Sequence, residues 1–178
     1  MTYYGSKQMA DSFRTVRANT IAIAEEIPED KYSFKATPDV MSVAEMLAHV
    51  AVNPSWQIDL HRDGITHIER DMFLTRVQQS QAAEKALQTK TQILAALRDD
   101  GERFAAFLES LDEAALAATI TFPPPVQPSS RTRFEMLLGT KEHEMHHRGQ
   151  LMLIQRLLGQ VPHLTRRRQE RMAQPVAR

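Results

Sequence analysis

The chain has 178 residues, enough for one domain that buries a core without disulfides or a structural metal, so a bound metal would serve function rather than stability. It contains no cysteine, which excludes disulfide staples, thiolate zinc sites and cysteine nucleophiles and leaves His, Asp and Glu as the available metal ligands. Lys and Arg total 22 and balance 22 Asp and Glu, so no overall field draws the chain to nucleic acid or to an anionic membrane. The start, Met1 to Gln8, lacks a basic stretch followed by an apolar run, and no apolar run approaches about 18 residues. A soluble cytoplasmic protein is the expectation.

Helical periodicity dominates from there on. Met9, Phe13, Val16, Thr20, Ile23 and Ile27 recur at spacings of three and four, which predicts a first helix from about Ser6 to Glu26, closed by Pro28. Ser42-Val43-Ala44-Glu45 has the form of a capping box and predicts the start of a second helix. Two turns later comes His49, with Met46, Asn53, Trp56 and Leu60 near it on the same wheel, while Pro54 is expected to bend or unwind that helix near Val50. Residues 61–79 read as a mixed polar connection with room for a short helix. Leu87, Leu94, Leu97, Gly101, Phe104, Leu108 and Leu111 then predict a third long helix over about 80–111.

A long crossing follows over 112–131. Thr119 to Phe122 could be a short extended piece, and Pro123, Pro124, Pro125 and Pro128 forbid a helix there. Thr132-Arg133-Phe134-Glu135, a second capping box, opens a fourth helix that should stop at Gly159 with Pro162 beyond. Four long amphipathic helices with two long connections describe an all-α protein, a helical bundle. Phe134, Leu138, Met145 and Met152 form a second apolar stripe on the fourth helix; a central place in the bundle or an isologous homodimer explains it, and the homodimer is favoured. The bundle should fill residues 1–164, with 165–178, including Arg166, Arg167 and Arg168, as a basic, solvated tail.

His143 and His147 lie four residues apart, so a helix points both imidazoles off one face within reach of a single ion. The segment also satisfies H-E-x-x-H, in which Glu144 would be the general base of a zinc protease. Its surroundings argue against that reading. Gln150 and Leu153 stand where the extended protease pattern wants glycine and histidine, and Glu144 lies about 100° around the helix from His143. A third ligand recruited from a facing helix is the better account, and His49 is the best placed candidate. His146 reads as a polar flank, and His61, His67 and His163 as solvent-exposed. Gln150 and Glu45 are secondary catalytic candidates, for orienting a water or substrate and as a base or merely a cap, and Trp56 and Asn53 are candidates to line the cavity.

The segments Ser42-Val43-Ala44-Glu45-Met46-Leu47-Ala48-His49 and His143-Glu144-Met145-His146-His147-Arg148-Gly149-Gln150-Leu151 resemble the second-helix and fourth-helix signatures of the DinB or YfiT-like metalloenzyme family. Leu157-Leu158-Gly159 followed by Pro162 is similar to that family's exit from the fourth helix. The resemblance implies a four-helix bundle of up-down-down-up connectivity, a three-histidine site built by His49, His143 and His147, and homodimers. It also implies a divalent metal, nickel or zinc, and an activity as a hydrolase or thiol S-transferase on a small-molecule substrate such as a low-molecular-weight thiol. The alternative is a non-catalytic stress-response or binding protein in which the metal is structural or sensory.

Overall fold

A computed structural model describes residues 4–174, and these are mostly helical. Helix α1 (Ser6–Glu26) has the predicted bounds, with Phe13, Val16, Thr20 and Ile23 buried along one face. Helix α2 (Val43–His61) starts on the predicted box: Ser42 Oγ accepts from Glu45 N at 3.2 Å and Glu45 Oε2 accepts from Ser42 N at 2.7 Å. It runs on through Pro54 to His61, so the proline neither ends nor unwinds it.

The third predicted helix is in fact two. Helix α3 (Arg70–Ala86) occupies much of the segment read as a connection, and helix α4 (Lys90–Glu109) begins after a break at residues 87–89. A third capping box makes that break. Thr89 Oγ1 accepts from Gln92 N at 3.2 Å and Gln92 Oε1 accepts from Thr89 N at 3.0 Å, which restarts the helix under a leucine spacing that runs across the join. No residue of α3 is buried, so it lies as an outer layer on α2.

After the short α5 (Glu113–Ala117), strands β1 (Thr119–Thr121) and β2 (Ser130–Thr132) pair antiparallel across the prolines, with Ile120 opposite Arg131. Ile120 is buried with Leu60 and Ile68. The segment before α3 is tied to the same hairpin, Ile68 N donating to Thr121 O and Thr121 N to Thr66 O, each at 2.9 Å. Helix α6 (Arg133–Leu157) then starts on the predicted Thr132 cap and ends before Gly159, whose φ of 79° makes the left-handed turn that closes it.

Residues expected as a solvated tail form helix α7 (His163–Ala173), docked on α1. Arg166 pairs with Glu26, and His163, expected to be exposed, is 5% exposed because its Nε2 donates to Asn19 Oδ1 at 3.1 Å. The end of that tail, 175–178, lies outside the described residues. His61 is buried as well, at 2% exposure, because it belongs to the last turn of α2 rather than to the connection. His67 is exposed as expected.

Four helices, α1, α2, α4 and α6, make the core. Both α1 and α2 pack on both α4 and α6, so α1 and α2 sit diagonally and α4 and α6 fill the gaps between them. Their ends meet in a consistent sense. Lys90 at the start of α4 donates to Glu25 O and Ile27 O at the end of α1, and Arg14 near the start of α1 pairs with Glu109 at the end of α4. Gln155 late in α6 donates to Glu26, so α6 runs with α1. These meetings set α4 antiparallel and α6 parallel to α1.

The centre of this bundle is polar. Arg17 on α1 and Glu144 on α6 are 4% and 2% exposed, and Arg17 Nη2 stands 2.9 Å from Glu144 Oε2. The remaining donors reach backbone: Nη1 to Leu97 O of α4 at 2.9 Å and Nη2 to Val50 O of α2 at 3.1 Å. Val50 O is the carbonyl that Pro54, lacking an N–H, leaves without its helical partner. Arg17 thus replaces the bond that the proline removes, which is why α2 passes through it. Gly101 gives the guanidinium its room, since a Cβ there would stand 2.9 Å from Arg17 Cγ. Removing one partner of such a buried, fully bonded pair strands the other charge. Glu144→Ala is therefore expected to lose about 3–5 kcal/mol of unfolding free energy in a denaturant titration, with Arg17→Met/Glu144→Leu recovering much of that loss.

Candidate metal centre

One turn of α2 and two turns of α6 supply the predicted histidines. His49 Nε2 and His147 Nε2 lie 3.0 and 3.1 Å from His143 Nε2, and one nitrogen from each ring falls within 4.8 Å of the others. His147 is buried and the other two are partly buried. Two nitrogens bound to one ion at about 2.0–2.1 Å stand about 2.9–3.4 Å apart for bond angles between a right angle and the tetrahedral value, so the two spacings from His143 suit a shared cation.

The far side of two rings sets their tautomers. His49 Nδ1 donates to Glu84 Oε1 at 2.9 Å, and His147 Nδ1 donates to Gln150 Oε1 at 2.7 Å, because both oxygens only accept. With the proton on Nδ1, each Nε2 turns a lone pair toward His143. The neutral His143 ring has at most one proton to offer at Nε2, so it cannot satisfy both neighbours. A cation at the meeting point would satisfy all three, and a set of imidazole nitrogens fits a divalent transition metal.

Electrostatics favours the neutral rings. Burial, then the neighbouring His147, His49 and His146, lowers the His143 pKa to about 4. Burial also lowers that of His147, against the opposing effect of the Gln150 hydrogen bond. Both imidazoles are therefore uncharged near neutral pH and have lone pairs to give.

Other sequence candidates fall elsewhere. Glu45 is engaged as a cap, held by Ser42 N and by Lys35 Nζ at 3.1 Å, and those contacts hold its pKa below the ordinary carboxylate value. Gln150 stands behind His147 rather than in front of it. Glu144 points into the bundle at Arg17, so it is not placed to serve the histidines as a general base, and the H-E-x-x-H match has no protease geometry behind it. His146 is exposed, with its ring 5.1 Å from that of His147, in keeping with a polar flank. Sequence reasoning missed Glu84. It lies in the last turn of α3, and the only available signal was the unused Thr89 cap, which would have given α3 an end there.

Two cavities adjoin the histidines, one of 360 Å³ reached by His143 and one of 370 Å³ reached by His49 and Glu84. Asn53 and Trp56 line both, as expected from their place on the His49 face of α2.

The chain belongs to the DinB superfamily, whose family profile matches residues 12–151. It is 26% identical over 154 residues to the uncharacterized protein YjoA of Bacillus subtilis strain 168, covering 86% of this chain and 91% of that protein. The crystal structure of the DinB-like Bacillus subtilis YjoA superposes with a TM-score of 0.65 at 25% identity, over 86% of this chain and 93% of that one. No helix among the described residues is long and apolar enough to cross a membrane.

His143 supplies a pH test. Its folded pKa of about 4 lies below the ordinary 6.5, so between those values the unfolded chain binds the proton first. Metal-free protein should hold its full stability from this source above pH 6.5 and lose it as the pH falls toward 4. Chemical denaturation across that window checks this, and His143→Gln should flatten the dependence.

Proposed function

We propose that the protein is a metal-dependent enzyme, a hydrolase or thiol S-transferase, with His49, His143 and His147 holding one nickel or zinc ion. The observation that carries this is the convergence of three Nε2 atoms with two of the rings held from behind, by Glu84 and by Gln150. Three protein ligands leave at least one coordination position open, the arrangement of a catalytic rather than a closed structural site. When bound, such an ion supplies Lewis acidity toward a water for hydrolysis or toward a thiol for S-transfer.

The chain's own residues do the rest. Glu84 holds the His49 proton on Nδ1 and makes that ring a stronger donor; Gln150 does the same for His147 more weakly, having no charge. The Arg17–Glu144 pair fixes the turn of α6 between the two ligand histidines against α1, α2 and α4. Asn53 and Trp56, one and two turns beyond His49, separate the two cavities through which a substrate would approach. The low-molecular-weight thiol is the candidate co-substrate, and the cytoplasm, where such thiols stay reduced, is the compartment that suits it.

We also propose a homodimer, on a face that keeps only Met145 of the predicted stripe. Phe134 and Leu138 pack within the bundle and Met152 packs on its other apolar cluster, so that stripe is largely spent internally. Met145, Leu153 and Leu157, at 43%, 58% and 57% exposure, form an outer strip of α6 that a second copy would cover. Light scattering after gel filtration should give twice the chain mass, with Leu153→Glu/Leu157→Glu reverting to a soluble monomer.

Metal analysis on untagged protein tests the centre. Wild type should carry one ion per chain, His49→Ala and His143→Ala none, and Glu84→Ala should bind about 10–100-fold more weakly. Equal, negligible metal in wild type and variants would end the proposal. A thiol-conjugation and ester-hydrolysis panel on loaded protein then separates the two reactions.

A further inference from the structure

The two cavities differ in charge. The one reached by His49 contains Glu84 and is lined on its outer side by Phe73 and Val77. The one reached by His143 contains Arg131, which forms no ion pair among the described residues, although its charge is felt by the carboxylate of Glu135, itself held by the Thr132 cap. Phe122, Val126 and Met136 give the same cavity apolar walls. Its shape is due partly to Gly139: no atom lies within 4 Å of where a Cβ would stand, so a larger side chain there would project into open space.

Four residues of this lining have buried polar atoms with no hydrogen-bond partner among the described residues: Asn53 Oδ1, Trp56 Nε1, Gln57 Oε1 and Thr140 Oγ1. Thr140 and Gln57 are 3% and 9% exposed. Unpaired buried polar atoms are rare in folded proteins. Four of the ten such side-chain atoms among the described residues belong to the lining of this one cavity, three on α2 and one on α6, where a bound ligand would partner them. They include two acceptors, one donor and one hydroxyl that does both, a set that complements an amide or a hydroxyl. Side-chain rotations of the kind ligands commonly impose would turn them to the cavity.

We propose that this cavity is the substrate subsite and that it takes a small organic carboxylate that also carries an amide or hydroxyl, with the carboxylate on Arg131. A single guanidinium fork matches one planar carboxylate, whereas a phosphate would call for more cationic groups than the lining holds. The volume of 360 Å³ is that of a small-molecule site and too small for a folded partner. The proposal rests on the metal-centre reading for which end of the ligand reacts, but binding itself does not require the ion.

Trp56 is the only tryptophan of the chain and lines the cavity, so its fluorescence reports occupancy. The probes are N-acetyl-L-phenylalanine, its uncharged carboxamide, and phenylpropionate, which keeps the carboxylate and lacks the amide. Each is titrated into metal-free and metal-loaded protein. N-acetyl-L-phenylalanine should give a saturable change, with about tenfold or weaker binding for each of the other two. Arg131→Glu should cost about tenfold or more, and Gly139→Leu should abolish the response, while both variants keep wild-type helicity and metal uptake. No saturable change with the wild type, equal affinity for acid and carboxamide, or unaltered binding in both variants would overturn the proposal. Probe binding by a protein that takes up no metal would defeat the metal-centre reading and leave this one standing; metal uptake without probe binding would do the reverse.

Discussion

The buried pair of Arg17 and Glu144 is the contact on which the bundle turns. It joins all four core helices at one level: α1 and α6 through the charges, α4 through Leu97 O and α2 through Val50 O. A charge taken out of water is tolerated only when its partners are complete, and the guanidinium is bonded at Nε, Nη1 and Nη2. Apolar packing alone would allow α6 to slide or rotate against α2 by small amounts. A bonded charge pair allows far less, and a three-ligand site demands positions held to about half an ångström.

The histidine cluster follows from that placement. Glu144 is the residue after His143, so anchoring its carboxylate inward on Arg17 turns His143 and His147 toward α2. Val50 is the residue after His49, and its carbonyl is held by the same guanidinium. One arginine therefore sets both halves of the cluster, through the neighbours of His49 and His143 rather than through the histidines themselves. Pro54 belongs to the same arrangement, because it frees the carbonyl that Arg17 needs. The outer α3 completes the centre by bringing Glu84 behind His49, and its lack of buried residues makes it the most weakly held part of the site.

Much of this was legible in the sequence, and the reasons are local. Capping boxes at Ser42 and Thr132 are short-range signals that locate helix starts closely, and they carried the positions of His49, His143 and His147 with them. The periodicity of α1 was as clear, because one face is buried throughout. What was missed depended on partners distant in the chain. Arg17 lies beside the apolar stripe, next to Val16 and one turn from Phe13, and nothing local marks it as buried until Glu144, 127 positions away, is placed against it. Leucines spaced helically across residues 87–89 hid the join of α3 and α4, although Thr89 and Gln92 made a box there as good as the other two. His61 and His163 looked peripheral because sequence places a residue near an end of an element, whereas burial is decided by what packs over that end.

X-ray absorption on metal-loaded, untagged protein tests the central claim most directly, because it reads the ligands rather than the stoichiometry. The account predicts three imidazole nitrogens at about 2.0–2.1 Å with the remaining coordination from light, exchangeable ligands, and the loss of one imidazole in His49→Ala. A shell of oxygen donors without imidazole scattering, or one unchanged by His49→Ala, would contradict it.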